Sequence, residues 1–280
     1  MASATTHYAR SGQLYIAYQT IGEGEVDLVV IDQWSSNIEA GWDFPPIARL
    51  LTRLSTFARV IIFDKRGVGL SDPVSIDALP TLEEWIDDLR AVLDAAGSTR
   101  PALLAAVGGS FMALVFAATY PERTSGLVLV DPFTRLTAAP DYPIGLPAGR
   151  LATDLDRLAE LWGVTGSMTF LAPNLVGEHP LAEQFNRYER LSASPGAARA
   201  MIGMIYDSDV RHVLPAIRVP TLVMHHRDAV RIKPDHGRYV ADRIEGARYL
   251  EIPGVENYVW AGDWETVADE TEEFLTGARP

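Results

Sequence analysis

Short apolar runs alternate with helix-like stretches along most of the chain, and this alternation restricts its fold more than any other feature. Leu14–Tyr18, Asp27–Ile31, Arg59–Phe63, Ala102–Ala106, Gly126–Val130, Thr221–Met224 and Tyr249–Ile252 have the length and apolar character of buried strands. Thr81, three residues before Glu84, opens a helix that Gly97 closes, and Phe111–Tyr120 reads as another stopped by Pro121. Strands separated by helices imply a mostly parallel sheet covered on both faces. The pattern breaks between Pro132 and Leu214, where helical stretches such as Leu151–Trp162 and Leu181–Leu191 occur without a convincing strand. An all-helical insertion there predicts a cap over the C-terminal strand ends, where open α/β sheets bind ligands. The expected organisation is a core in two parts, 1–131 and 215–280, with the cap at 132–214.

Composition narrows the partners. A net charge of −13 argues against nucleic acid, which needs a basic face, and against docking on anionic lipid. The chain contains no cysteine, so thiol catalysis, disulfides and thiolate metal sites are excluded. The N-terminal residues lack the apolar core of a signal peptide, and no run approaches the ~18 apolar residues of a membrane span. The expected compartment is the cytoplasm. The expected partner is a small molecule, with no cofactor or metal, and a homodimer is left open.

Asp64-Lys65-Arg66-Gly67-Val68-Gly69-Leu70-Ser71 follows one strand, and Val219-Pro220-Thr221 opens another. With Tyr120-Pro121-Glu122-Arg123 and the closing Glu272-Glu273-Phe274-Leu275, these segments resemble the α/β-hydrolase fold superfamily. Asp209-Val210-Arg211-His212-Val213-Leu214-Pro215 adds a likeness to bacterial members found beside adenylate-cyclase domains. The resemblance implies an α/β-hydrolase fold: an eight-stranded, mostly parallel sheet flanked by helices, with an inserted helical cap. It also implies a nucleophile on a tight turn, Gly-x-Ser-x-Gly, after the Ala102–Ala106 strand.

The matching residues here are Ala105-Ala106-Val107-Gly108-Gly109. In the family the nucleophile stands ~14 residues before the proline ending the next helix, and counting back from Pro121 reaches Val107. Ser110 falls at the helix start. Valine cannot attack a carbonyl. The base is expected in a Gly-x-x-His pattern after the last strand, where the chain reads Gly254-Val255-Glu256-Asn257. An amide hydrogen-bonds but does not shuttle protons near neutrality. The oxyanion loop, commonly His-Gly, reads Asp32-Gln33-Trp34. The best match for the retained acid is Asp228. The triad therefore reads as degenerate.

The candidate catalytic residues are Asp228, Asp32 and Asn257, with Val107 unreactive at the nucleophile position. Gly108, Trp34, Gln33, Phe111, Tyr258 and Trp260 are expected to bind substrate, and Trp42 to border the cavity. His225 and His212 are expected to be structural. His226 with Asp228 makes a weak metal motif, and Glu39 and Glu256 are minor candidates. The resemblance makes Asp131 an alternative acid site, but Asp131-Pro132 is expected to turn the chain into the cap. Three functions are open. One is an enzyme using non-covalent acid/base chemistry on a small, hydrophobic or aromatic molecule (elimination, cyclisation, isomerisation or ring opening), as in natural-product biosynthesis. The others are a non-catalytic binding or regulatory pseudo-hydrolase, and a hydrolase with an unusual nucleophile.

Overall fold

The computed structural model describes residues 4–177 and 181–278; parts of the predicted N-terminal and cap segments, residues 1–3 and 178–180, lie outside it. The strands are β1 (His7–Ser11), β2 (Leu14–Ile21), β3 (Val26–Ile31), β4 (Ala58–Phe63), β5 (Ala102–Ala106), β6 (Gly126–Val130), β7 (Thr221–His226) and β8 (Arg248–Ile252). They form one eight-stranded sheet in the order β1-β2-β4-β3-β5-β6-β7-β8. The β1–β2 and β2–β4 pairs are antiparallel and the rest parallel. Every residue of β5 and β6 is buried, as expected for central parallel strands covered on both faces.

The helices are α1 (Pro45–Leu54), α2 (Leu82–Ala95), α3 (Ser110–Thr119), α4 (Ala148–Leu161), α5 (Met168–Leu171), α6 (Leu181–Ser192), α7 (Pro195–Asp207), α8 (Pro234–Ala241) and α9 (Trp264–Thr276). Local chemistry starts them. Thr81 and Glu84 form a capping box on α2, Ser194 caps α7 ahead of Pro195, and Asp263 caps α9. Helix α1 packs on α9 and α2 on α3, while α4 to α7 all fall between β6 and β7.

Two strands differ from what the apolar pattern suggests. Strand β1 is mostly exposed and polar, so it carries no apolar run to betray it; only pairing with β2 makes it a strand. Strand β7 continues past Met224 through two histidines, because both are buried and its pairing with β8 extends to His226 and Ile252. The Asp64–Ser71 motif is a buried knot. The Asp64 carboxylate accepts from Ser36 Oγ at 2.6 Å, Leu70 N–H at 2.9 Å and Ile38 N–H at 3.3 Å. A Cβ on Gly69, at φ +55°, would stand 2.1 Å from Asp64 Oδ2, so only glycine fits. Among the described residues no helix is long and apolar enough to cross a membrane.

Candidate active site

Strand β5 delivers Val107 into a tight turn that leads at once into α3. Val107 holds φ +49°, a conformation that β-branched residues rarely adopt, and Asp131 at the end of neighbouring β6 holds φ +48°. Because Ala106 pairs with Val130, these two strained residues emerge side by side. The strain at residue 107 presents only a buried isopropyl group. A Cβ on Gly109 would lie 2.5 Å from the Ile31 carbonyl oxygen, so glycine lets the turn rest against the loop carrying Asp32. Gly108 has close neighbours without crowding: a Cβ there would meet the Gln33 carbonyl oxygen at 3.4 Å and Ile205 of α7 at 3.5 Å, ordinary contact distances. Ser110 is the first residue of α3 and fully buried, and its hydroxyl has no partner among the described residues.

Asn257 does not face open space. Its Oδ1 accepts from Ile232 N–H at 3.0 Å and its Nδ2 donates to Ile232 O at 3.1 Å. Its own main-chain N–H donates to Leu171 O of α5 at 2.6 Å. The amide thus grips the loop after β7 with a donor and an acceptor at once, which an imidazole in one tautomer also offers but not at this spacing.

Asp32 borders two voids. The larger, about 60 Å³, is walled by apolar side chains including Ile31, Leu51, Ile62 and Leu104, with Asp32, Ser36, Asn37, Tyr188 and Trp260 supplying the rest. The smaller, about 10 Å³, lies among Asp32, Gln33, Trp34, Ser167, Phe185, Tyr188, Glu189, Tyr258 and Trp260. Asp32 lies below the protein surface yet keeps accessible area, which the voids account for. Its Oδ1 accepts from Gln33 N–H at 2.7 Å and its Oδ2 from the Tyr188 hydroxyl at 3.1 Å. Burial raises the Asp32 pKa above the ordinary carboxylate value, although nearby Lys65, the Gln33 amide and Tyr188 pull against it. Buried Lys65 donates to the Asp32 carbonyl oxygen at 2.6 Å, and burial lowers its pKa to about 8 against the pull of Asp32 and Asp64. Burial, reinforced by Asp32 and Asp64, holds the Tyr188 phenol protonated far above its usual range.

Asp228 lies elsewhere. Because β7 runs two residues further than the sequence suggests, the following turn carries Asp228 to the surface, where its N–H donates to Gly254 O at 3.0 Å. The carboxylate that comes inward at these strand ends is Asp131, which does more than turn the chain. Fully buried, it accepts from His226 N–H at 2.8 Å and meets His226 Nδ1 at 2.7 Å. Burial raises the Asp131 pKa and the two histidines outweigh it, leaving the carboxyl below its usual range. Burial likewise opposes the charged His226 ring, and Asp131, Glu256 and Asp263 overcome it, raising its pKa. The pair's contribution to stability is therefore complete between about pH 3.8 and 6.5. It is lost below that window as Asp131 protonates and above it as His226 deprotonates. His226→Gln is expected to lower Tm most within this window, a profile that thermal melts at stepped pH will check; a pH-independent penalty would refute it.

The structure brings Asp32, Gln33, Trp34, Tyr258 and Trp260 around the voids and places Gly108 under Ile205. Gln33 also donates through Nε2 to Asn257 O at 3.1 Å. Tyr258 and Trp260 stack at 4.5 Å, and the Tyr258 hydroxyl meets Ser167 Oγ at 2.5 Å. Phe111 packs edge-on against Phe133 instead and lines neither void. Trp42 donates to Gln19, Glu39 accepts from Thr6, and His212 is exposed, so none of the three joins the voids. His225 Nε2 donates to Ile232 O at 2.8 Å, as a strand-end anchor. Among the described residues no group of three or more His, Asp or Glu could hold a metal. Sequence reasoning missed Tyr188 and Lys65, because both reach Asp32 from elements remote in the chain.

Comparison with known proteins agrees with this architecture. The chain resembles a probable esterase from Oryza sativa subsp. japonica, at 26% identity over 251 residues, covering 86% of this chain and 88% of that one. It also resembles the Karrikin insensitive 2 receptor CA of Petunia hybrida, at 22% identity over 245 residues, covering 85% and 87%. Among solved structures, the enol-lactonase from Burkholderia xenovorans LB400 superposes with a TM-score of 0.77 at 20% identity, covering 96% of this chain and 100% of that one. The alpha/beta hydrolase fold family matches residues 35–259, and the chain belongs to that family.

Proposed function

We propose that this chain is an enzyme of the α/β-hydrolase fold turned from acyl transfer to non-covalent general acid/base chemistry on a small apolar or aromatic molecule. Asp32 exchanges the proton. The reading rests on one observation: Asp32 borders an apolar void, its pKa raised by burial, with the Tyr188 phenol against it. Val107 and Asn257 stand at the inherited nucleophile and base positions, so no acyl intermediate forms. Asp32 takes a proton from a carbon or hydroxyl acid, while Tyr188, protonated throughout the working range, donates a hydrogen bond to the developing carboxylic acid or to substrate oxygen. Elimination, isomerisation, cyclisation and ring opening all need this and no nucleophile. A void of about 60 Å³ is well below the roughly 300 Å³ of ligand pockets. Tyr188 and Trp260 are walls common to both voids, so a ligand of that size requires one of them to move.

The test begins with native mass spectrometry and extraction to identify the molecule that copurifies. Asp32→Asn is expected to cut its turnover by about 10²–10⁴-fold. It should leave Tm at neutral pH equal or higher, because it removes a buried charge. Turnover within twofold of wild type would sink the assignment. The small volume of the voids and the likeness to a receptor favour a second reading, a non-catalytic binding protein. In that case the copurified molecule exchanges unchanged in both proteins.

A further inference from the structure

Arg231 lies in the loop between β7 and α8 and is 5% exposed. The residue beside it is held from three sides, since Ile232 N–H and Ile232 O are both gripped by Asn257, and His225 Nε2 also reaches that oxygen at 2.8 Å. The guanidinium therefore starts from a fixed backbone. It enters the inserted helices and sits between two aromatic faces, with Cζ 5.3 Å from the Phe170 ring centroid and 5.9 Å from that of Tyr206. One corner is used: Nη1 donates to Asp154 Oδ2 of α4 at 2.5 Å. The Tyr206 hydroxyl also approaches the guanidinium, yet the Nε and Nη2 hydrogens on its other edge make no well-formed hydrogen bond among the described residues.

That edge carries two parallel N–H donors, the geometry that binds both oxygens of a carboxylate. Buried donors are almost always satisfied, so an empty pair between aromatic faces marks the place of a missing acceptor. The charge balance points the same way. Asp154 also pairs with Arg150 at 3.4 Å, so one carboxylate serves two guanidiniums and the group keeps net positive charge. This stands out in a chain of net charge −13.

We propose that Arg231 is the recognition residue for a carboxylate, and that the ligand is a small aromatic or apolar carboxylic acid. Its carboxylate lies on the Nε/Nη2 edge and its body lies against Phe170 and Tyr206. The inference rests on the small-molecule reading above and names the substrate class within it. Asn257 becomes a positioning residue, since its amide fixes the loop that presents Arg231.

Calorimetry with benzoate, 3-phenylpropanoate and octanoate, each against its own primary amide, tests this. At least one acid is expected to bind the wild-type protein about tenfold or more tightly than its amide. Arg231→Lys keeps the charge and loses the fork, and should cost that acid about tenfold. Arg231→Met should abolish the acid–amide difference. Asp154→Asn removes a competing carboxylate while retaining an acceptor for Nη1, so it should tighten acid binding several-fold. That variant and the wild-type acid–amide comparison decide the matter even if the Arg231 variants do not fold. No acid preferred over its amide in wild type, or an Asp154→Asn protein that binds acids no better, overturns the proposal. Acid binding retained in Asp32→Asn while turnover is lost supports both readings. Acid binding with no effect of Asp32→Asn on turnover refutes the Asp32 assignment alone.

Discussion

Val107→Ser combined with Asn257→His is expected not to create an esterase. Against p-nitrophenyl acetate, the double variant should remain about 10³–10⁴-fold slower than a triad enzyme of this family, the deficit seen when a catalytic histidine lacks its orienting carboxylate. The cause is tertiary. Both oxygens of Asp131 are occupied by His226, at 2.8 Å and 2.7 Å, and Asp228 is on the surface. A new imidazole at residue 257 finds no acid to fix its tautomer. It also gives up the paired bonds to Ile232, at a cost of about 1–3 kcal/mol. The wild-type protein should show no turnover of the same ester. A double variant within tenfold of a working triad would show that the old geometry survives intact.

Asp64→Ala should be the most damaging single substitution of those considered, lowering stability by about 3–5 kcal/mol in denaturant melts. It strands three buried donors, Ser36 Oγ–H, Ile38 N–H and Leu70 N–H. It also removes one of the two carboxylates that face buried Lys65. The effect depends on pH with a definite sign. Burial raises the Asp64 pKa from 3.8 to about 6, so the folded state favours the protonated acid. Stability contributed by Asp64 therefore falls as pH rises from about 3.8 through about 6, and levels off above. The gap between wild type and Asp64→Ala should be wider at pH 4 than at pH 7; a gap that widens with pH instead would contradict this account.

The core strands were legible because burial on both faces demands continuous apolar runs, and no other pattern of this length fits β5 or β6. The start of α2 was legible for a local reason too, since the Thr81 cap acts across a few bonds of chain. Strand β1 was not legible, because its polar residues become a strand only when β2 supplies the pairing. Asp228 was misplaced by two residues of strand. The apolar run stops at Met224, and only buried partners, Asp131 among them, carry the strand on through polar His225 and His226.

By itself, then, the sequence determined the fold, and it put an apolar side chain at Val107 and an amide at Asn257, where the resemblance leads one to expect a nucleophile and a base. Those are properties of single residues at fixed spacing, and no packing can turn either into a nucleophile or a base. Only the tertiary structure decided where each carboxylate lies. Asp32 and Asp228 look alike in sequence, but one lies beside a void with Tyr188 and Lys65 brought from remote elements, and the other meets solvent. The pKa of a carboxyl depends on burial and on neighbours in space, and both are set when the chain closes on itself.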